Sequence, residues 1–545
     1  MKKNFKSTYV YLGLLVILTL PICLGIFGPN LISAHDSMGG LIRAMSMDKY
    51  MEQGQFLVRW SPGVNWGYGY PMFNFYPPFF SIISVLLFHL THSMFMAINW
   101  ACVLFWILSG IGMFLLAREY WGNDGGMLCA VLYVYAPYHI IDLYVRGAYA
   151  EFSSFAFFPF LLLSILKMSR KPSLGAFLLG IGSVFGLSLT HNIMSMLFFP
   201  IAVLFILFLY SSEKKPSWIL PTTSSFVIGL MMSSFFWLPA LVEKKFLNLG
   251  FLMAMRYDFH NSFVSLGELF WPLNKNSVDN ISFQVGIIYT LLCLASLAGL
   301  PKIFKINKQL GLTYIFFLII GMAAIFLTLP YSGILWEYIG MLSYIQFPWR
   351  ILAIIVFAMS FLCGSIVILI KNPMFKKVFV IVVGSLAIYI SLNACPKASF
   401  ITVPGSIEDF LAMGEGEYTP KWVIIPPDGP ADSKFEIFNG QGRFAGEKAI
   451  TPVHYDVKYQ ALVPSTLYFH TFYFPGWQVF IDGQPTRPYI DNPYGLILFN
   501  VPFGDHDIQV IFNSTPIRII GVVLSWIGVA LLLAAIFWAK LNLKN

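Results

Sequence analysis

Long apolar runs separated by short polar stretches dominate the chain, and their spacing is that of membrane spans. Runs at 10–27, 97–117, 127–141, 152–165, 174–189, 194–210, 218–241, 285–300, 312–329, 351–370, 378–392 and 519–539 each predict a helix that crosses a bilayer. The run at 79–90 is shorter and predicts an interfacial or re-entrant helix. Between 396 and 516 the period changes. Val453, Tyr455, Val457, Tyr459 and Ala461 alternate with polar residues. Trp477, Val479 and Ile481 do the same up to an Asp482-Gly483 turn, and Ile508, Val510 and Phe512 close the set. Period-two stretches broken by Gly, Pro and Asp turns predict a small antiparallel sandwich or barrel. The expected fold is an all-α polytopic membrane protein of about 12 transmembrane helices, with a C-terminal β-sandwich-like domain before the last helix. The implied divisions are a transmembrane module over 1–395 with a first outer loop at 29–78, a β domain over 396–516, and a final helix with its tail over 517–545.

Composition points the same way. Of 545 residues, 57% are hydrophobic and 11% charged, with a mean hydropathy of +0.72. A water-soluble core cannot hide that much apolar surface. A net charge of +8 would suggest nucleic acid as a partner of a soluble chain. Here the basic residues sit in short loops, so they speak for orientation in the bilayer and no nucleic acid partner is inferred. Lys2, Lys3 and Lys6 place the N-terminus in the cytoplasm. If 79–90 does not cross, Arg118, Lys167, Arg170, Lys171, Lys214, Lys215, Lys302, Lys305, Lys308, Lys371, Lys376, Lys377, Lys540 and Lys544 all fall on that side. Both termini are then cytoplasmic and the β domain is extracytoplasmic, with Arg350 and Arg518 as exceptions. The first run has no small-x-small cleavage site and reads as a retained anchor. The six cysteines show neither a CxxC pair nor even spacing, so no disulfide framework or zinc site is indicated. Asn280-Ile281-Ser282 and Asn513-Ser514-Thr515 match the N-glycosylation pattern, which is common by chance.

This topology puts Asp36, Asp142, Arg146, Glu151, His191, Gln346 and Arg350 at the outer ends of helices. Ionisable groups at membrane depth need partners or water, so their concentration at one level marks a candidate site; the plain alternative for each alone is a hydrated interfacial group. A carboxylate such as Asp36 can deprotonate an acceptor hydroxyl or hold a divalent ion. Arginines such as Arg146 and Arg350 can clamp a phosphate. Trp60, Trp66, Tyr68, Tyr70, Phe73 and Tyr76 can pack on a sugar ring or lipid chain, although aromatics at the interface are common. His35, Arg43 and Arg59 share that first loop and join the candidate substrate-binding set with Tyr76, Arg146, His191, Gln346 and Arg350. Lys244 and Lys245 with Arg256 can attract a lipid phosphate or touch headgroups. His89 and His92 have the spacing of metal ligands but no third ligand nearby. No P-loop, Rossmann glycine motif or GxSxG elbow is present.

Several local runs resemble known sequences. His35-Asp36, Arg59-Trp60-x-Pro62, Gly67-Tyr68-Gly69-Tyr70-Pro71 through Asn74-Phe75-Tyr76-Pro77-Pro78, Ala136-Pro137-Tyr138-His139 with Asp142-Leu143-Tyr144-x-Arg146-Gly147, and Gln346-Phe347-Pro348-Trp349-Arg350 resemble bacterial membrane proteins labelled 6-pyruvoyl-tetrahydropterin synthase-related. Tyr473-Phe474-Pro475-Gly476-Trp477, followed by Asp482-Gly483, resembles the C-terminal part of YfhO-like membrane proteins. A soluble pterin synthase needs a three-histidine zinc site on a compact fold, and this sequence supplies none. Both groups look like relatives of the GT-C glycosyltransferases, integral enzymes that use polyprenyl-phosphate sugars. That resemblance implies a GT-C-like module with Asp36 as the first-loop catalytic acid and Asp142 and Glu151 as second-loop acids. His35-Asp36 stands where those enzymes carry Asp-x-Asp or Asp-Glu. A divalent cation (Mg2+ or Mn2+) on Asp36 and Asp142 is therefore left open. The implied function is transfer of a sugar from a polyprenyl-phosphate donor to an extracytoplasmic acceptor, a cell-envelope glycan, lipid or protein, at the inner (cytoplasmic) membrane. The rival readings are a transporter or flippase of a lipid-linked precursor and a non-catalytic envelope-assembly protein.

Overall fold

A computed structural model describes residues 5–212, 216–248, 258–270, 281–396, 399–401 and 416–542. The basic residues expected to set orientation at 2, 3, 214, 215 and 544, with the side chain of Lys6, lie outside the described residues, as do Arg256 and Asn280. Among the described residues, eight helices are long and apolar enough to cross a membrane, or ten if each of two bent pairs is one span. The expected twelve is thus not reached by length and composition alone. Part of the difference lies in one element. Helix Met94–Val134 is broken at Gly122, whose φ of 72° and ψ of 179° are not helical. Trp106 Nε1 donates to Val134 O at 3.0 Å, and a Cβ on Gly110 would lie 2.8 Å from Val134 Cγ2. The two arms therefore run antiparallel, as the separate runs at 97–117 and 127–141 predict. The turn needs a positive φ that glycine adopts without strain.

Helix Phe79–Thr91 has 13 residues. At about 1.5 Å per residue it reaches about 20 Å, short of the ~30 Å hydrocarbon layer. Phe80, Ser81, Ser84 and Val85 are buried while Leu86 and Leu90 are exposed. Phe80 stacks on Tyr149, with ring centres 5.1 Å apart. One-sided burial of a short helix is what the interfacial reading expects.

The C-terminal strands form two antiparallel sheets. β1 (Phe435–Asn439), β4 (Ser465–Phe472) and β7 (Leu496–Val501) make one, in the order β1-β4-β7. β2 (Gly442–Thr451), β3 (His454–Ala461), β5 (Trp477–Ile481), β6 (Gln484–Thr486) and β8 (Gly504–Phe512) make the other, in the order β2-β3-β8-β5-β6. Tyr455, Val457, Tyr459 and Ala461 turn inward from β3, and Ile508 and Val510 from β8. This inward face is the alternation seen in the sequence. The last helix, Pro516–Asn542, follows directly.

The first loop carries this domain. Trp60 is fully buried and meets Trp477 edge-on at 5.6 Å and Phe512 at 5.4 Å. Tyr68 stacks on Phe472 at 5.6 Å, and its carbonyl accepts the Phe472 N–H at 2.8 Å. Lys434 Nζ donates to Gly67 O and His470 O, both at 2.8 Å. Of the aromatic residues expected as walls for a sugar or lipid, Trp60 and Tyr68 are thus the seat of the β domain, while Tyr70 and Phe73 pack into the helical core. A Trp has a large apolar area, and docking into another domain buries more of it than lining an open cleft would.

A second joint binds the elements around Glu243. Its Oε2 accepts from Asn74 Nδ2 at 2.7 Å and from Arg518 Nε and Nη2 at 3.1 and 3.0 Å, while Oε1 accepts from Thr515 at 2.6 Å. Arg59 donates to Asn74 Oδ1 at 3.2 Å and to Phe235 O at 2.7 Å. Arg518, an exception to the charge rule, is buried here against a carboxylate.

Candidate active site

Two short motifs from the first and second outer segments are joined by their backbones. His35 N donates to Val145 O at 3.0 Å and Asp36 N to Arg146 O at 2.7 Å. Gly147, at φ 62°, lets the strands approach: a Cβ there would lie 2.8 Å from Ser37 N. Asp36 is the N-cap residue of helix Ser37–Glu52, yet its side chain makes no capping bond. That exposed carboxylate opens onto a cavity of about 890 Å³. His35 and Asp36, just ahead of that helix, and Gly39 and Arg43, one turn apart on it, line the cavity, with Arg43 Cζ 3.9 Å over the Tyr76 ring.

The opposite wall is a buried charge cluster. Arg146 follows helix Pro137–Tyr144 and pairs with Asp142, one turn earlier. Its Nη1 also lies 2.9 Å from Glu151 Oε2. Arg350 Nε lies 3.2 Å from that same oxygen, and Tyr138 donates to Glu151 Oε1 at 2.6 Å. Arg350 sits on the short turn Pro348–Ile351 and donates to Gln346, which has a φ of 71°. Trp349 lies 4.5 Å under Arg146 Cζ, and Phe347 lies 5.1 Å under Arg350 Cζ. Among the described residues nothing hydrogen-bonds Arg146 Nε or Nη2, or Arg350 Nη2. Arg146 is held through Nη1 alone, which leaves its Nε–Nη2 edge for an anion, and Arg350 is hydrogen-bonded through Nη1, which leaves Nη2.

His191 follows helix Leu174–Thr190. Its Nδ1 accepts from Met194 N at 3.2 Å, so Nε2 is the nitrogen left to meet a ligand. Burial holds this imidazole down at about 3, with Arg350 and Arg146 adding to the effect against the pull of Glu151. It is therefore neutral and can donate from Nε2. Beyond the polar wall the cavity turns apolar through Met196, Phe199, Leu230, Trp237 and Met341. Leu230 and Trp237 sit on the two arms of a span bent by 69° between Met232 and Ser234.

Of the predicted site residues, His35, Asp36, Arg43, Tyr76, Arg146, Glu151, His191, Gln346 and Arg350 line this one cavity. Asp142 stands behind Arg146, fully buried, and Arg59 belongs to the joint at Glu243. Lys244 lines the cavity, its Nζ 4.4 Å over the Tyr344 ring. Glu417 and Tyr418 line it as well. They carried no sequence signal, because they come from the segment entering the β domain and meet the site only through the fold. Among the described residues no three of His, Cys, Asp or Glu are grouped to hold a metal. Asp142 and Glu151 both pair with Arg146, so neither is free to join Asp36 on a cation. This donor set does not fit a cation held by the protein alone.

The family profile described as "6-pyruvoyl-tetrahydropterin synthase related domain; membrane protein" matches residues 73–401. A protein of Lactococcus lactis subsp. cremoris (strain MG1363), described as uncharacterized, is 26% identical over an alignment of 281 residues that covers 48% of this chain and 43% of that protein. The chain thus spans less than half the length of that relative. Among solved structures, the oligosaccharyltransferase AglB of Archaeoglobus fulgidus, in complex with an inhibitory peptide and a dolichol-phosphate, is similar at a TM-score of 0.45 and 12% identity, covering 79% of this chain and 62% of that one. The arabinofuranosyltransferase AftD from Mycobacteria gives 0.44 and 15%, covering 72% and 27%. ArnT from Cupriavidus metallidurans, bound to undecaprenyl phosphate, gives 0.40 and 13%, covering 70% and 76%. These likenesses are too distant to bear on the chemistry.

Proposed function

The chain belongs to the 6-pyruvoyl-tetrahydropterin synthase-related family of membrane proteins, and on that premise we propose that it is a membrane glycosyltransferase of the GT-C kind. It transfers a sugar from a polyprenyl-phosphate donor to an extracytoplasmic acceptor. One observation carries the reading: a single cavity joins an exposed carboxylate, Asp36, to Arg146 and Arg350 and to an apolar wall. An anionic headgroup with a lipid tail suits such a cavity. The motif resemblance around His35-Asp36 and the second outer segment supports the same class.

In this reading Asp36 takes the proton of the acceptor hydroxyl. The hydroxyl oxygen attacks the anomeric carbon while the bond from that carbon to the phosphate oxygen breaks. The electron pair leaves on the lipid phosphate, whose charge Arg146 and Arg350 meet. Attack opposite the leaving group inverts the anomeric centre. Neutral His191 can donate a hydrogen bond to the sugar or the phosphate. No step is routed through a metal.

The test is transfer from a polyprenyl-phosphate sugar by the detergent-solubilised protein. Asp36→Asn keeps the shape and removes the base, and the expected loss in turnover is about 10²–10⁴-fold. A folded Asp36→Asn protein with full transfer activity would sink the proposal.

A further inference from the structure

We infer that Glu151 is a positioning residue for the two arginines, where the resemblance makes it a second catalytic acid. The inference rests on the donor-binding role proposed for that wall of the cavity. Glu151 is 1% exposed; one of its oxygens accepts a hydrogen bond and the other faces two arginines by charge alone. Oε1 accepts from the Tyr138 hydroxyl at 2.6 Å. Oε2 lies 2.9 Å from Arg146 Nη1 and 3.2 Å from Arg350 Nε. Among the described residues Oε2 accepts no hydrogen bond, and two guanidinium charges crowd it, which favours its charged form over uptake of a proton.

The contacts explain what the residue does. The two arginines come from segments about two hundred positions apart, and like charges repel when brought together in a buried site. One carboxylate between them offsets that repulsion and fixes which edge of each guanidinium turns inward. The Trp349 and Phe347 rings fix the planes. Among the described residues Asp142 pairs only with Arg146, so Glu151 is the carboxylate beside Arg350. Tyr138 holds Glu151 in turn, and reaches Arg146 Nη1 at 3.3 Å as well.

Two readouts test this. Arginine-selective dicarbonyl labelling, mapped by mass spectrometry, needs neither lipid nor transfer. In Glu151→Gln the labelling of Arg350 is expected to rise about fivefold or more, since an amide cannot replace the charge that holds it. Binding of a short-chain polyprenyl monophosphate in detergent micelles is expected to weaken about tenfold. Residual transfer should keep the pH profile of the native protein, because the base is elsewhere. Tyr138→Phe disturbs the same anchor without burying an unpaired charge, and serves if Glu151→Gln does not fold; its labelling of Arg350 should rise by a smaller factor. Unchanged labelling in both variants overturns the inference. So does a Glu151→Gln protein that binds the lipid phosphate as well as the native one yet loses turnover together with one limb of the pH profile. If the native protein binds no polyprenyl phosphate, the functional reading falls by itself, and the labelling still decides the role of Glu151.

Discussion

At the scale of single residues, the cavity is organised by a few groups whose freedom has been removed. Asp36 and Arg146 are adjacent through backbone hydrogen bonds, so their spacing does not depend on side-chain rotamers. Gly147 makes that possible, because its φ of 62° and the approach of Ser37 leave no room for a Cβ. Gly147→Ala is expected to lower stability by about 1–3 kcal/mol. Thermal unfolding in detergent measures it, and an unshifted midpoint would show that the join is not tight. Most charged residues of the cavity were legible in the sequence, since a chain with so few charges gives each one at a helix end some weight. Glu417 and Tyr418 were not legible. Nothing local distinguishes them from other linker residues.

At the scale of elements, the joints between helices and sheets matter more than the helices themselves. The aromatic run after Arg59 reads equally well as a ligand wall or as a docking face, because hydropathy reports only that a side chain seeks burial. The partner decides, and here it is the end of the β-sandwich for Trp60 and Tyr68. Around Glu243 one buried arginine, Arg518, pairs with the carboxylate directly and a second, Arg59, reaches it through Asn74. Burial, with repulsion from Arg518, lowers Arg59 to about 10 against the opposing pull of Glu243. Glu243→Gln leaves two cations facing each other and is expected to destabilise the joint by about 3–5 kcal/mol. Hydrogen exchange should then speed up both at 513–520 and in the first loop at 59–76. Faster exchange in only one of the two would mean that Glu243 does not couple them.

At the scale of the whole molecule, the cavity lies where the bundle and the segment entering the β domain meet, since Glu417 and Tyr418 share it with helix residues. If the β domain is extracytoplasmic, as the distribution of basic residues predicts, the reaction occurs at the outer face of the membrane. A cysteine placed at Lys458, an exposed position on β3, tests the orientation. An impermeant maleimide should label Lys458→Cys in cells whose outer barrier is opened and whose inner membrane is intact. Labelling that appears only after the inner membrane is breached would reverse the topology, and with it the side on which the acceptor is found.

The sequence by itself determined that most of the chain is membrane-length apolar helix, though not the number of spans, and it determined the short helix at 79–90, the change of period into a sandwich and the small set of polar groups at helix ends. Each of these is a local property: how often a side chain must be buried follows from the geometry of its own helix or strand. Only the tertiary structure decided which polar groups meet. Arg59 and Arg146 are alike in the sequence, both basic and both in predicted outer segments. One is drawn to Asn74 and Phe235 beside Glu243, the other to Asp142, Glu151 and the cavity. A buried charge takes whatever partner the packed chain brings within reach, and that partner can lie hundreds of residues away.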